Sequence, residues 1–140
     1  MDVRFIASFT VITGRPTEDR RLFRDTLGLP LRSAITAEED SQYVFFEGLA
    51  GVKHFGVWPL NEAANACFGQ STWPDSRPVP QACIEFEVDD VEAAARELVD
   101  KGYTLLHPAR TEPWHQIIAR LQTTDGLLVG VCFTPWLHDT

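Results

Sequence analysis

Apolar and polar positions change rhythm along this 140-residue chain in a way that separates strands from helices. "FIASFTVIT", residues 5–13, mixes apolar and small residues as a buried strand does. In "GRPTEDRRLFRDTLGL" the rhythm lengthens to that of a helix. Pro16 suits its first turn, Glu18 and Asp19 complement the helix dipole, and Gly28 suits its stop. "SQYVFFEG" and "VKHFGVWPL" follow as two β-rich runs joined through "GLAG". In "ACIEFEV", Ile84, Phe86 and Val88 alternate with Cys83, Glu85 and Glu87, the period of a strand. "DDVEAAARELVDKGY" is the best-marked helix, with Asp89 and Glu92 in a capping pattern and Gly102 closing it. "YTLLHPA", "HQIIARLQ" and "LLVGVCF" complete the strands, with Asp125-Gly126 as a hairpin turn.

The order strand, helix, strands thus occurs twice. Gly51 precedes Gly56 by five residues and Gly126 precedes Gly130 by four, so "FGVW" in one half meets "VGVC" in the other. Residues 59–80, "PLNEAANACFGQSTWPDSRPVP", hold four of the nine prolines and read as a connector with one helical turn at "NEAANA". The expectation is one α+β domain over residues 1–140, built as two βαβββ modules. They cover 1–58 and 81–134, with the connector at 59–80 and a tail at 135–140.

Composition narrows the function. Apolar residues at 44% and charged residues at 23% are ordinary for a globular chain, and no apolar run approaches the roughly 20 residues of a membrane span. The N-terminus reads as a first strand rather than a signal peptide. A net charge of −8 repels phosphate backbones and anionic lipid, which argues against nucleic-acid and membrane partners. Cys67, Cys83 and Cys132 are odd in number, far apart and without a C-x-x-C pair, as in a reduced, cytoplasmic protein.

The doubled order, with "LFRDTLGLPL" in one half and "IEFEVDDVEAAARELVDKGY" and "TTDGLLVGV" in the other, resembles the vicinal oxygen chelate superfamily of glyoxalases, bleomycin-resistance proteins and extradiol dioxygenases. The resemblance covers nearly the whole chain. It implies mixed sheets curling around a cavity, often completed by homodimerisation. It also implies that metal-dependent members take their ligands from the first and last strands of each module. The matching positions here are Ser8, Gly56, Cys83 and Gly130, a set unable to grip a hard divalent cation, which wants about six oxygen or nitrogen ligands. No metal and no cofactor is therefore expected. The two glycines are expected to open room for ligand bulk. "EPWHQIIARLQTTDG" resembles the "PWG" segment of bleomycin-resistance-type members, with His115 where glycine is usual.

Alternation assigns the cavity face. If Gly56 points inward so do His54 and Trp58; if Cys83 does, so do Glu85 and Glu87, leaving Ile84, Phe86 and Val88 to pack on helices. Trp114, Gln116, Ile118 and Arg120 share another face. The candidate binding residues are His54, Trp58, Glu85, Glu87, Trp114, Gln116 and Arg120, with a cross-strand Glu85–Arg120 ion pair as the plainer reading of those two. His107, His115 and His138 fall outside the set.

The reading this favours is a metal-free small-molecule-binding protein that sequesters a cationic or aromatic compound, with the tryptophans stacking and the glutamates attracting charge. The alternative is a metal-dependent lyase, isomerase or dioxygenase with relocated ligands His54 and Glu85, joined by Gln116. A third is a homodimeric partner module whose tail, "FTPWLHDT", docks on a second subunit. Catalysis stays unassigned on the sequence.

Overall fold

The structure is a computed structural model that describes residues 1–33 and 41–138; part of the first module's middle and the last two residues of the expected tail lie outside the described residues. The first half runs β1 (Phe5–Thr13), α1 (Pro16–Arg20), β2 (Arg32–Ser33), β3 (Val44–Phe46) and β4 (Phe55–Pro59). A helix α2 (Leu60–Phe68) then leads to β5 (Ala82–Glu87), α3 (Val91–Asp100), β6 (His107–Thr111), β7 (Ile117–Gln122) and β8 (Leu128–Phe133). Both halves are βαβββ, and the α+β class and the doubled order stand as expected.

All eight strands join one open mixed sheet in the order β2-β3-β4-β1-β5-β8-β7-β6. β1 and β5 run antiparallel down its centre, and each has a parallel partner on its other side, β4 and β8. A parallel neighbour requires a crossover connection, and α1 and α3 supply one in each half. Each half has a core of its own. Leu31, Val44 and Val57 pack with Phe23 in the first half, and Val88, Val91, Ala94, Ala95, Ala119 and Val131 pack under α3 in the second.

Several local expectations change. The stretch after α1 widens into a π-helical turn, Arg21–Thr26, closed by Leu27 N–H donating to the Leu22 carbonyl at 2.9 Å. α2 is nine residues rather than one turn, because Ala63, Ala64 and Cys67 form an apolar stripe that packs with Ile12, Trp73, Cys83 and Leu128. The cap of α3 is Asp90, not Asp89: its carboxylate accepts from Ala93 N–H at 3.0 Å. Val88 packs on α3, but Ile84 and Phe86 do not join the helix-facing cores; they lie half-buried, while Ile6 and Phe9 on the neighbouring strand are 40% and 37% exposed. All three cysteines are free and buried. Among the described residues no helix is long and apolar enough to cross a membrane.

The Asp90 cap satisfies one of the first-turn donors of α3, and such caps are worth about 1 kcal/mol. Asp90→Ala is expected to lower unfolding free energy by roughly that amount, whereas Asp89→Ala leaves it within a few tenths. Denaturant titration of the two variants separates them.

Candidate functional site

A cavity of about 990 Å³ lies between the two halves. Its floor is the central pair of strands, which present Ser8, Thr10 and Glu85. The first half contributes Tyr43, Phe45, Glu47, His54 and Trp58, and the second contributes Trp114, Gln116 and Arg120. Six of the seven residues predicted by alternation meet there.

The seventh, Glu87, does not. Its side chain is fully buried away from the cavity; Oε2 accepts from Thr134 N–H at 2.6 Å and pairs with His138 Nε2 at 2.6 Å, and Oε1 takes the Cys132 thiol at 3.4 Å. Alternation put it on the correct face, but the chain after β8 folds back over that end. His138, set aside on sequence, is what ties this segment down. In the tail, Trp136 and Leu137 line the chain's own cavity, and Trp136 Nε1–H donates to Glu47 across the cavity mouth at 3.1 Å.

On the first-half wall three groups form a chain. His54 Nδ1 meets Glu47 Oε2 at 2.8 Å, and His54 Nε2 meets the Tyr43 hydroxyl. A carboxylate only accepts, so Nδ1 carries the proton, and in that tautomer Nε2 accepts from Tyr43. The hydrogen bond from His54, opposed by partial burial and helped by Trp136, holds Glu47 below its ordinary carboxyl range. Burial, with the Glu85 charge next, raises the Tyr43 pKa, so the phenol keeps its proton at neutral pH. Both ring nitrogens of His54 thus have hydrogen-bond partners within the wall.

On the second-half wall Arg120 is fully buried and Glu85 nearly so. They do not form the expected ion pair. Arg120 Nη1 donates to Glu112 Oε1 at 3.3 Å and to His107 Nε2 at 3.2 Å, while Arg110 Nε shares the same Glu112 oxygen at 2.7 Å. His107 can accept because its Nδ1–H is committed to the Pro108 carbonyl at 2.7 Å and because burial, seconded by the arginine charges, keeps its pKa low. Glu85 instead takes a hydrogen bond from Gln116 Nε2 at 3.0 Å, and Gln116 Oε1 accepts from Trp114 Nε1–H at 2.9 Å. Burial alone would depress the Arg120 pKa. The negative charges of Glu85 and Glu112 outweigh it and keep the guanidinium charged. Trp58 lies against that guanidinium, with Cζ at 5.7 Å from a ring centroid.

The strand register revises the metal positions. Thr10 lies opposite Gly56 and Glu85 opposite Gly130, so the residues level with the glycines are Thr10 and Glu85 rather than Ser8 and Cys83. The four positions then offer one carboxylate, one hydroxyl and two bare backbones, which do not fit the divalent ion that the superfamily resemblance implies. Among the described residues no three His, Cys, Asp or Glu side chains converge as a metal site. Nor do the glycines open room for a ligand. A Cβ on Gly56 would stand 2.5 Å from the Tyr43 hydroxyl oxygen, and one on Gly130 would stand 2.9 Å from Ile118 Cδ1 and 3.2 Å from Glu85 Cγ. Neighbouring side chains already fill both spaces.

His115 answers the "PWG" comparison. It takes φ +74°, the left-handed conformation that glycine adopts without strain, at the turn where its N–H donates to the Glu112 carbonyl at 2.9 Å. That turn sets Trp114 and Gln116 at the cavity.

A sequence profile described as the Glyoxalase/Bleomycin resistance protein/Dioxygenase superfamily matches residues 5–131. The chain belongs to that superfamily. Among solved structures, a glyoxalase/bleomycin resistance protein/dioxygenase superfamily member from Vibrio splendidus 12B01 is 16% identical, with 95% of this chain and 100% of that one covered at a TM-score of 0.57. A Streptomyces coelicolor methylmalonyl-CoA epimerase variant in complex with 2-nitronate-propionyl-CoA is 18% identical, covering 95% and 99% at 0.59. An NAD-dependent benzaldehyde dehydrogenase from Legionella pneumophila is 12% identical, covering 90% and 96% at 0.56. At these identities the likeness establishes the glyoxalase-type fold alone. No curated protein matches the chain in sequence.

Sequence alternation also held a signal for Tyr43 and Glu47, which share a face with Phe45 in "SQYVFFEG". Glu112 carried none, since it sits beyond the end of an edge strand. Overpacking a filled site costs about 1–3 kcal/mol. Gly56→Ala is expected to lower stability within that range and to dislodge Tyr43 from His54, read as a lower melting temperature and a changed tyrosine hydroxyl resonance.

Proposed function

We propose that this superfamily member binds a planar, aromatic small molecule without a metal ion. The observation that carries the reading is the cavity itself. Its walls are Tyr43, Phe45, Trp58, Trp114 and Trp136, and the four strand positions beneath them supply a single carboxylate instead of a cation's donor set. A volume of about 990 Å³ is at the upper end of the range that takes drug-sized ligands. Half-exposed tryptophans at the rim, Trp114 at 41% and Trp136 at 39%, offer faces for stacking. The cationic ligand read from Glu85 and Glu87 loses support, because Glu87 serves the C-terminal segment and Arg120 joins the wall.

Two copies are further proposed to associate through the outer face of the central strands, where Ile6 and Phe9 remain exposed beside half-buried Ile84 and Phe86. Sedimentation at micromolar concentration is expected to give a dimer; a monomer under those conditions removes this part of the proposal.

The binding reading is tested by thermal denaturation. Aromatic ligands at 100 times their dissociation constant are expected to stabilise by about 2.7 kcal/mol. Manganese, nickel and zinc salts, and chelators, leave the melting temperature unchanged. A stoichiometric metal that raises the melting temperature and is lost with EDTA overturns the metal-free reading.

A further inference from the structure

The guanidinium of Arg120 is only half used. Its Nη1 serves Glu112 and His107, while Nε and Nη2, both buried, have no hydrogen-bond partner among the described residues. These two atoms make one edge of the guanidinium, where two N–H bonds point the same way and match the two oxygens of a carboxylate. Buried donors left unpaired are unfavourable, and nearly all in folded proteins find a partner. Trp58 lies against the guanidinium, and Arg120 itself lines the cavity.

Resting on the small-molecule reading above, we propose that the cavity's ligand is an aromatic monocarboxylate, its carboxylate paired side-on with Nε and Nη2 of Arg120 and its ring system laid against the tryptophans. Charge limits the ligand to one negative group: Arg110 and Arg120 share the carboxylate of Glu112, and a second anionic group would face Glu85, whose charge already acts on Arg120.

Isothermal titration of the wild-type chain with naphthoate, naphthamide and aminomethylnaphthalene separates charge from ring, because the three share one ring system. Naphthoate is expected to bind at least about tenfold more tightly than either analogue. Arg120→Lys keeps the charge and loses the fork, and is expected to weaken naphthoate by about tenfold and to narrow its advantage over naphthamide. Because Arg120 is buried, a melting curve establishes that the variant is folded, and the wild-type comparison needs no variant. Equal affinity for naphthoate and naphthamide, or preference for the amine, overturns the carboxylate assignment and leaves the aromatic cavity standing. Unchanged naphthoate binding in Arg120→Lys overturns the role of the fork. Absence of heat with all three overturns the binding reading together with this one.

Discussion

A guanidinium taken wholly out of water is the constraint around which one side of this molecule is arranged. An isolated buried charge is prohibitively unfavourable, and removing one partner of a buried pair typically costs about 3–5 kcal/mol. Four parts of the chain therefore converge on Arg120. Glu112 comes from beyond the edge strand, His107 from the strand paired with it, Trp58 from the other half, and Glu85 supplies charge from the centre of the sheet. Even the tautomer of His107 follows, since it can accept from Arg120 only with its proton on the Pro108 side. The polar groups of the second-half wall are arranged around this one side chain.

The two halves have the same topology and opposite chemistry. Opposite the arginine wall stands Glu47–His54–Tyr43, a relay in which every polar atom of the histidine is used. The glycines at the pseudo-equivalent positions 56 and 130 belong to this divergence. Each is bare because something else occupies its space, the Tyr43 ring in one half and Ile118 with Glu85 in the other. A carboxylate could not be restored at either without expelling a neighbour. The distance from a metal site is thus a matter of packing as well as of missing ligands.

Much of this was legible in the chain. Period-two alternation placed His54, Trp58, Glu85, Trp114, Gln116 and Arg120 on one face, and the doubled βαβββ order supplied the sheet they stand on. Pairing was not legible. Alternation says which face a residue takes, not which partner the neighbouring strand or loop brings, so the Glu85–Arg120 pair was expected where Gln116 and Glu112 take over. Register had the same limit: a two-residue slip keeps the face and changes the level, which is how Ser8 and Cys83 stood in for Thr10 and Glu85. Helix α2 was shortened because prolines on both sides resemble a loop, although Ala63, Ala64 and Cys67 formed a stripe.

The C-terminal segment joins these threads. A fully buried carboxylate facing an apolar end of a sheet needs donors, and the residues after β8 provide them to Glu87 through Thr134 N–H and His138. His138 also stacks on Phe133, with ring centroids 4.8 Å apart, so polar and apolar contacts fix the same turn. That turn carries Trp136 to the cavity mouth, where its N–H reaches Glu47 in the first half. One anchor in the second half thereby sets an aromatic wall residue and touches the His54 relay in the first. Glu87, predicted as a ligand contact, shapes the cavity from outside it by holding the segment that closes one side.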